Sequence, residues 1–558
     1  MLLSNMELLA TAPGGVAKLR ELILTLAVQG KLVPQDPADE PAGVLLQKIR
    51  AEKDRLIAEG KIKRDKPLAG IAEEEKPFEL PEGWAWQTLA EIGTWAIGSG
   101  FPHEAQGREG LPILFAKVSD MNLPGNELEI VRTNHTIDDE TVERLRINVH
   151  QPGTVIFPKI GGAIATNKRR ILIRPTAIDN NCLGITPSAA MSTSYLFLLL
   201  SSIDFTVYQA GTSVPALSQG TLGRIPVGLP PLAEQSRIVT RVEALMRLCE
   251  ALEAKGQLEA AQHAQLVSTL LGTLTASTAP DELAANWQRV AQHFDLLLDR
   301  PEAIDALEQT LLQLAVRGLL VPQDPTDEPA SALLQKIRAE KDRLIATGQI
   351  KQGKPLPPIT DEEKPFELPV GWEWVRLQQA YDVRDGTHDT PKYQSTGFPL
   401  VTSKNLYGGV LDLSDVKLIS PADHEQISAR SRVNRDDILF AMIGSIGNPV
   451  IVDTDTEFSV KNVALFKYYA AALSCPKYLL LVLQAEAAGM KERAAGGVQS
   501  FISLGQLRSS VVALPPLSEQ SRIVSRVTAL RRLCADLRQR LAERQSVQAR
   551  LAEALLIH

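Results

Sequence analysis

The sequence predicts an α+β multidomain protein in which one unit occurs twice as an internal repeat. Two α/β heads with curved, barrel-like sheets are expected, joined by two long helices that form an antiparallel coiled coil. Three observations predict this class. Long segments recur at a nearly constant offset, dissimilar inserts lie between them, and each copy ends in an apolar stripe with coiled-coil spacing. Together they favour a pseudo-twofold internal repeat.

The repeat is complete over one segment and close over three others. Leu45–Ala58 (LLQKIRAEKDRLIA) recurs letter for letter at Leu333–Ala346. The segments LVPQDPADEP and PEGWAW recur as LVPQDPTDEP and PVGWEW at the same offset of 288 residues. Leu229–Leu252 matches Leu514–Leu537 at 18 of 24 positions. The long period and the presence of only two copies argue against a solenoid.

These matches separate a repeated frame from two variable heads. The inserts between the matching segments barely resemble each other, so similar frames hold dissimilar heads. The predicted domains are an N-terminal helical frame (residues 1–80), head 1 (81–228), a long helix (229–276), a central helical frame (277–368), head 2 (369–513) and a second long helix (514–558).

Each predicted long helix begins after a Pro-Pro pair and carries apolar residues at alternating spacings of four and three. We expect each helix to run for about 40 residues, or on the order of 60 Å. The two stripes are expected to pack on each other, the alternative being that each packs on its own head. The predicted seam consists of Ile238, Val242, Leu245, Cys249 and Leu252 in the first helix and Ile523, Val527, Leu530, Cys534 and Leu537 in the second.

The rest of the frame is also helical in pattern. Leu19–Val28 and Leu307–Val316 are rich in apolar residues and are followed by Gly30 and Gly318, which are expected to cap them. The identical LLQKIRAEKDRLIA segment predicts a charged amphipathic helix that ends near Gly60. Its charged face is either simply solvated or a partner surface. The identity of the two copies favours the partner surface.

Each head opens with a Gly-Trp-x-Trp turn and continues with strand-like runs and Gly-rich turns. The predicted strands of head 1 are Leu111–Val118, Thr154–Phe157, Arg170–Ile173 and Leu222–Val227, with a helix near Ser194–Tyr208. Those of head 2 are Phe398–Ser403, Asp437–Met442, Pro449–Val452 and Asn462–Tyr468, with a helix near Lys477–Arg493.

Several polar, glycine-bearing loops have side chains suited to DNA. Arginine and asparagine can pair with guanine and adenine, and lysine mostly binds phosphate. A solvated loop is the alternative for any single residue, but two differing sets on one frame favour recognition. The candidates in head 1 are Ser99, His103, Lys117, Ser119, Lys159, Asn167, Lys168, Arg169, Arg170, Thr212 and Ser213. Those in head 2 are Thr387, His388, Lys392, Tyr393, Ser403, Lys404, Asn405, Ser445, Asn448, Gln499 and Ser500.

Composition and motifs argue against catalysis and against a membrane protein. The net charge of −7 is not that of a strongly basic protein, although a local basic patch can still bind phosphate. No Walker A, GxGxxG, HExxH or GxSxG motif occurs, and none of the four cysteines lies in a CxxC pair. We therefore expect no catalytic residues, no metal site, no membrane association, and free thiols in the cytoplasm.

The combination of PEGWAW and LPPLAEQSRIV, repeated as PVGWEW and LPPLSEQSRIV around variable inserts, resembles the specificity subunit of type I restriction–modification systems. The resemblance covers essentially the whole chain. It implies that each head is a target recognition domain and that the long helices space the heads on a bipartite DNA site. The helical block before each head is longer here than in leaner members of the family.

The resemblance also implies partners and cofactors. The ligand would be double-stranded DNA. Two modification subunits with S-adenosylmethionine would methylate adenine, and restriction subunits with ATP and Mg would translocate and cut DNA. This chain would hold no cofactor and would be non-catalytic. The alternatives are a fused restriction–methylation enzyme with unrecognised motifs and an inert coiled-coil scaffold.

Overall fold

A computed structural model describes residues 12–62, 70–211, 214–277, 280–444, 446–494 and 501–557. The chain divides into two compact units. Unit 1 comprises Met1–Leu258 with Gln545–His558, and unit 2 comprises Glu259–Arg544. Both boundaries fall inside a long helix, so each unit contains one head, one frame region and parts of both long helices.

The helices that begin in unit 1 are α1 (Gly15–Val28), α2 (Ala42–Ala58), α3 (Asp139–Leu145), α4 (Thr193–Ser202), α5 (Gln219–Leu222) and the long α6 (Leu232–Ala276). Its strands are β1 (Ala85–Thr88), β2 (Gly93–Ile97), β3 (Ile113–Ala116), β4 (Glu129–Ile130), β5 (Thr136–Ile137), β6 (Val149–His150), β7 (Val155–Pro158), β8 (Arg170–Leu172), β9 (Thr176–Ile178), β10 (Cys182–Pro187) and β11 (Pro226–Leu229).

The helices that begin in unit 2 are α7 (Pro280–Gln292), α8 (Phe294–Leu297), α9 (Pro301–Val316), α10 (Ala330–Ala346), α11 (Leu377–Ala380), α12 (Pro421–Ser431), α13 (Pro476–Ala494), α14 (Leu504–Ser509) and the long α15 (Leu517–Ile557). Its strands are β12 (Glu373–Arg376), β13 (Asp382–Asp385), β14 (Phe398–Val401), β15 (Leu406–Tyr407), β16 (Val410–Leu411), β17 (Lys417–Ile419), β18 (Ile438–Ala441), β19 (Gly447–Ile451), β20 (Ser459–Val460), β21 (Val463–Lys467) and β22 (Val511–Leu514).

The sheets of the two heads have matching strand orders. Head 1 contains a five-stranded sheet, β2-β10-β7-β8-β4, and a four-stranded sheet, β5-β3-β9-β6. Head 2 contains the corresponding sheets β13-β21-β18-β19 and β17-β14-β20, plus the β15-β16 hairpin. Among the described residues these orders are open, so the pairing does not close a barrel.

Both ends of each head lie on one two-stranded ribbon. Strand β1 pairs antiparallel with β11, which places Ala85 opposite Leu229. Strand β12 pairs in the same way with β22, which places Glu373 opposite Leu514. Because the two ends are adjacent, a head of different sequence can be inserted without moving the frame. This geometry accounts for similar frames around dissimilar heads.

Most predicted frame helices are confirmed, including their glycine caps. Gly30 and Gly318 adopt φ values of 69° and 73° just after α1 and α9, in the left-handed region that favours glycine at a helix end. A Cβ on Gly30 would also lie 2.4 Å from Pro81. One strand prediction was wrong, because Gln219–Leu222 forms a helical turn and the strand is Pro226–Leu229. The Ser218 hydroxyl starts that turn by accepting a hydrogen bond from the Thr221 amide.

Several residues that recur in both copies of the frame form one hydrogen-bonded cluster, which we call the Trp–Glu clamp. In unit 1 the indole Nε1 of Trp84 donates to Glu234 Oε2 at 3.0 Å. Gln35 Nε2 donates to the other oxygen, Glu234 Oε1, at 3.2 Å. Arg237 forms a 2.6 Å ion pair with Asp39. The clamp ties the Pro-Gln-Asp turn, the Gly-Trp turn and the start of α6 together.

Unit 2 repeats the clamp. Trp372 Nε1 donates to Glu519 Oε2 at 3.0 Å, Gln323 Nε2 donates to Glu519 Oε1 at 3.2 Å, and Arg522 pairs with Asp327 at 2.6 Å. Burial raises the pKa of both glutamates, while the Trp and Gln hydrogen bonds act to lower it. The Trp–Glu clamp explains why these residues recur in both copies although the heads differ.

The apolar stripes of the long helices pack partly on their own heads. Ile238, Val242 and Cys249 lie in the core of unit 1 with residues of head 1 and α1, and Leu245 packs against that core. Leu252 is half-buried. In unit 2, Ile523 and Val527 lie in the core with residues of head 2. The expectation that these residues face the other long helix is therefore wrong for the first half of each stripe.

Farther along, parts of both long helices share a core. In unit 2, Cys534 of α15 belongs to the same hydrophobic cluster as Val267, Leu271 and Leu274 of α6, and Leu530 and Leu537 pack against it. In unit 1, Ala552 of α15 is buried in the core that contains Cys249. Each long helix thus contributes its beginning to one unit and its end to the other.

Candidate nucleic-acid interface

Four connections of head 1 gather at one end of its sheets and form what we call loop cluster 1. The Ser99 amide donates to Ile178 O at 2.8 Å, which joins the β2–β3 connection to the end of β9. The Lys159 amide donates to Asn181 O at 2.9 Å, and the Gly161 amide donates to Pro215 O at 2.7 Å. The cluster therefore joins the β2–β3, β7–β8, β9–β10 and α4–α5 connections through the backbone.

Head 2 assembles loop cluster 2 from the matching connections. The Thr387 amide donates to Val460 O at 3.0 Å, and the Asn462 amide donates back to Thr387 O at 3.1 Å. The Ile502 amide donates to Met442 O at 2.9 Å. A cavity of about 180 Å³ lies between these loops, with Asp385, His388, Met442, Ile443, Asn462, Phe501, Ile502, Ser503 and Leu504 in its lining.

A glycine at the same place in each head allows the loops to approach. A Cβ on Gly98 would lie 1.9 Å from Asp179 O, and a Cβ on Gly386 would lie 2.0 Å from Val460 O. Both contacts are with backbone, so the neighbour cannot rotate away. The two clusters thus share their backbone construction and differ in side chains: Asp179 of head 1 occupies the bridge position that Lys461 occupies in head 2.

Arg169, predicted to read a base, is instead part of the core of head 1. Only 3% of it is exposed. Its Nε donates to Leu200 O at 3.0 Å and its Nη2 donates to Ile203 O at 3.2 Å. The guanidinium lies 4.0 Å from the centre of the Phe205 ring. Burial lowers its pKa to about 9. The prediction was wrong because the basic run Lys168–Arg170 turns inward at its middle residue.

The neighbours of Arg169 are also engaged within head 1. Asn167, at φ 49°, accepts from Arg169 and donates to Ser201 O at 3.2 Å. Lys168 contacts the side-chain oxygen of Asn122. Arg170 donates to Met121 O at 2.8 Å, and burial lowers its pKa. Of this basic run, Lys168 and Arg170 keep partial exposure.

The other candidates of head 1 differ in their surroundings. Ser99 and Lys159 lie in loop cluster 1 and are half-buried. Lys117 donates to Gln106 Oε1 at 2.7 Å and lies 5.4 Å from the Phe101 ring centre. His103 and Ser119 are exposed. Thr212 and Ser213 lie outside the described residues.

In head 2, His388 is the candidate with the most defined setting. Its Nδ1 lies 3.0 Å from Asn462 Oδ1 and its Nε2 lies 2.9 Å from Asp385 Oδ2. Arg430 donates to the other oxygen of Asp385 at 2.6 Å. The imidazole is therefore held between two neighbouring loops while it remains exposed.

Asn405, predicted to contact DNA, is only 3% exposed. Its Oδ1 accepts from the Thr402 amide at 3.0 Å, and its Nδ2 donates to Asp412 O and Asp415 O at 3.1 and 3.0 Å. The prediction was wrong because this short polar side chain closes a turn. Asp120 has the same role in head 1, where it accepts from the Lys117 amide at 2.7 Å.

The remaining candidates of head 2 lie at the surface or outside the described residues. Lys404 is exposed and pairs with Asp415 at 3.0 Å. Lys392 and Tyr393 are exposed, and Thr387, Ser403 and Asn448 are half-buried, with Asn448 at φ 46°. Ser445, Gln499 and Ser500 lie outside the described residues.

Sequence reasoning missed the turns that follow β9 and β20. Asn180 is exposed in loop cluster 1, and Lys461 and Asn462 lie in loop cluster 2. The available signal was a short polar break, Asp-Asn-Asn or Lys-Asn, between two strand-like runs. The predicted strand Asn462–Tyr468 includes part of this break, whereas in the structure β20 ends before the break and β21 begins after it.

Across the described ranges, no group of three or more His, Cys, Asp or Glu side chains could hold a metal ion. In the same ranges, no helix has both the length and the apolarity needed to cross a membrane. The two heads carry different loop clusters on the same repeated frame. These features define a duplicated protein with two heads.

The comparisons with known proteins identify the family. The family model described as the type I restriction modification DNA specificity domain matches residues 125–262 and 369–544. The EcoAI specificity subunit of Escherichia coli is 38% identical over 97% of this chain and 93% of its own length. The EcoEI specificity subunit of Escherichia coli is 35% identical over the same shares. The chain belongs to the family of type I restriction–modification specificity subunits.

Among solved structures, a chain from a study of complex assembly and conformational transition in a type I R-M system matches with a TM-score of 0.47 and 19% identity. The match covers 86% of this chain and 98% of that chain.

Proposed function

We propose that this chain reads a bipartite, asymmetric DNA site and directs adenine methylation and restriction by partner subunits. The observation that carries the proposal is the pair of loop clusters, which share one backbone construction and present different side chains. Loops on a rigid scaffold are where recognition residues concentrate. Each head would read one half-site, and unlike heads require unlike half-sites.

The two long helices would act as the spacer between the half-sites, as an antiparallel coiled coil along the part of their length that is not occupied by the heads. The cluster that joins Cys534 to Val267 and Leu271 supports this pairing, and so does the burial of Ala552 in unit 1. Apolar residues spaced by four and three favour such a seam.

The subunit would have no catalysis of its own. Two modification subunits would supply S-adenosylmethionine-dependent methylation, and restriction subunits would supply ATP- and Mg-dependent cleavage. The complex would act in the cytoplasm. Purified chain incubated with DNA and S-adenosylmethionine should transfer no methyl group, whereas transfer without a partner would favour a fused enzyme.

The recognition test uses one residue from each loop cluster. Asn180→Ala in head 1 and Lys461→Ala in head 2 should each alter binding at one half-site only, measured by competition binding of the complex with the modification subunit. A bidentate base contact would cost about 1–3 kcal/mol and relax one base position, whereas a phosphate contact would weaken all sequences and reduce the salt dependence.

Arg435→Ala provides the control, because this exposed arginine pairs with Asp455 at 3.2 Å and precedes β18, whereas loop cluster 2 lies after β18. The control should bind as the unaltered chain does. If the complex shows no sequence-selective binding at all, the chain is a scaffold rather than a reader. If both variants weaken both half-sites equally, the assignment of one half-site to each head is wrong.

A further inference from the structure

The outer faces of α2 and α10 are identical in residue type and in exposure. Seven positions of the repeated LLQKIRAEKDRLIA segment are exposed in α2, and the same seven are exposed in α10. They are Gln47, Lys48, Arg50, Ala51, Asp54, Arg55 and Ala58, with Gln335, Lys336, Arg338, Ala339, Asp342, Arg343 and Ala346 as their counterparts. We call these two surfaces the twin faces.

Exposed positions elsewhere in the frame are retained only in part, whereas all seven pairs of the twin faces are identical, so recent duplication alone does not explain the twin faces. At the start of the long helices, exposed Thr240 and Glu243 correspond to Ser525 and Thr528, and exposed Glu250 corresponds to Ala535. Solvated helix positions tolerate such changes at little energetic cost. The long helices thus serve as an internal control for the frame helices.

Contacts within the chain explain the identity only in part. Lys48 and Lys336 make matching ion pairs with Glu40 and Glu328, at 2.5 and 2.7 Å. Arg55 lies 3.8 Å from Glu59, whereas Arg343 pairs with Glu340 at 2.6 Å. Glu52, the counterpart of Glu340, instead accepts a hydrogen bond from the Ala189 amide at 3.0 Å. The arginine and the glutamate have therefore been retained although their local partners changed.

The chemistry of each twin face fits a helix of a partner protein. Gln47, Ala51, Asp54 and Ala58 follow one another at spacings of four, three and four, which places them in one stripe along α2. The two alanines leave shallow positions into which the side chains of a packed helix can insert. Arg50 beside this stripe is exposed and offers a guanidinium to a carboxylate on that helix.

We propose that the twin faces are docking surfaces for two copies of one partner chain, each contributing an acidic helix. This inference rests on the proposed function, in which the partner present in two copies is the modification subunit. Identical partners require identical surfaces, and the twin faces are the longest identical exposed surface that the two copies share. The heads remain free to differ because they take no part in this contact.

Charge reversal on each face tests the proposal. Arg50→Glu and Arg338→Glu should each reduce the bound modification subunit from two copies to one per chain, as measured by native mass spectrometry. The double variant should bind none, with a loss of about tenfold or more in affinity at each altered face. Glu250→Lys, at a diverged exposed position of α6, should still bind two copies.

A steric variant separates loss of docking from loss of charge. Ala51→Trp should also remove one copy, while its thermal unfolding matches that of the unaltered chain. If the charge and steric variants all bind two copies, the twin faces are not the docking surfaces. If the unaltered chain binds no modification subunit, the proposed function itself fails, and the two failures are therefore distinguishable.

Discussion

Replacing Trp84 with Phe removes one donor from a buried carboxylate and should destabilise unit 1. The indole donates to Glu234 at 3.0 Å, and Glu234 is only 1% exposed. A hydrogen bond to a charged group contributes about 1.5–3 kcal/mol, and the smaller ring adds roughly 1 kcal/mol of lost packing. We expect a total loss of about 2–4 kcal/mol.

The cost of Trp84→Phe should depend on pH. Burial raises the pKa of Glu234, and the Trp84 hydrogen bond acts against that rise, so its removal should raise the pKa further. A carboxyl group whose pKa is raised by folding contributes most stability at low pH and loses that contribution as pH increases through the raised pKa. The variant should therefore lose less stability near pH 5 than near pH 8.

Hydrogen exchange followed by mass spectrometry can measure this effect for each unit separately. Amides of β1 and β11 should exchange roughly 30- to 1,000-fold faster in the variant at pH 8 after correction for intrinsic rates. Trp86→Phe is the matched control, because Trp86 is half-buried and packs against Phe78. Equal effects of both substitutions, or no dependence on pH, would refute the role assigned to Glu234.

Two further predictions concern side chains that the structure places unexpectedly. Arg169→Ala should destabilise unit 1 by about 2–4 kcal/mol, because buried carbonyls lose their donor, and should leave the half-site preference unchanged. Thermal unfolding and DNA selection measure the two effects, and an altered base preference at full stability would contradict the burial. Arg20 pairs with Glu253 at 2.7 Å with side chains 34% and 41% exposed, so Arg20→Glu should cost only about 0.5–1 kcal/mol, which the added Glu253→Arg should largely restore in a double-mutant cycle. A double variant as unstable as the sum of the single ones would refute a direct pairing.

The Arg20–Glu253 pair has a natural precedent within the chain. At the corresponding positions of unit 2, Glu308 accepts from Arg538 at 3.0 Å. The two copies therefore use the same positions with opposite charges. Docking a long helix on the frame helix of the other copy would bring like charges together, which disfavours exchange between the repeated parts.

Local features of the frame could be predicted because short-range rules determine them. A glycine after an apolar run caps α1 and α9, and a Pro-Pro pair precedes α6 and α15. Residues far apart in the sequence recur together in both copies, which indicated that they share a structural role. The hydrogen bond between Trp84 and Glu234 in the Trp–Glu clamp is that role. Such signals do not depend on the packing of the whole unit.

What the sequence could not supply was the partner of each buried group. The spacing of Ile238 and Val242 shows that one helix face is buried, but a head and another helix can both cover it. The charge of Arg169 indicated exposure, and only tertiary packing reveals that backbone carbonyls and Phe205 surround it. Likewise, the residue type of Asn405 does not distinguish an asparagine that closes a turn from one that contacts adenine.

The central claim is that one repeated frame carries two heads that recognise different half-sites. The most direct test of this claim is to exchange one head for the other. Residues Ala85–Leu229 would be replaced by Glu373–Leu514, whose ends lie on an equivalent two-stranded ribbon, and methylated bases would be mapped by sequencing DNA from cells with the modification subunit. We predict a methylated site made of two copies of the half-site read by head 2. A methylated site that still contains the original first half-site would contradict it.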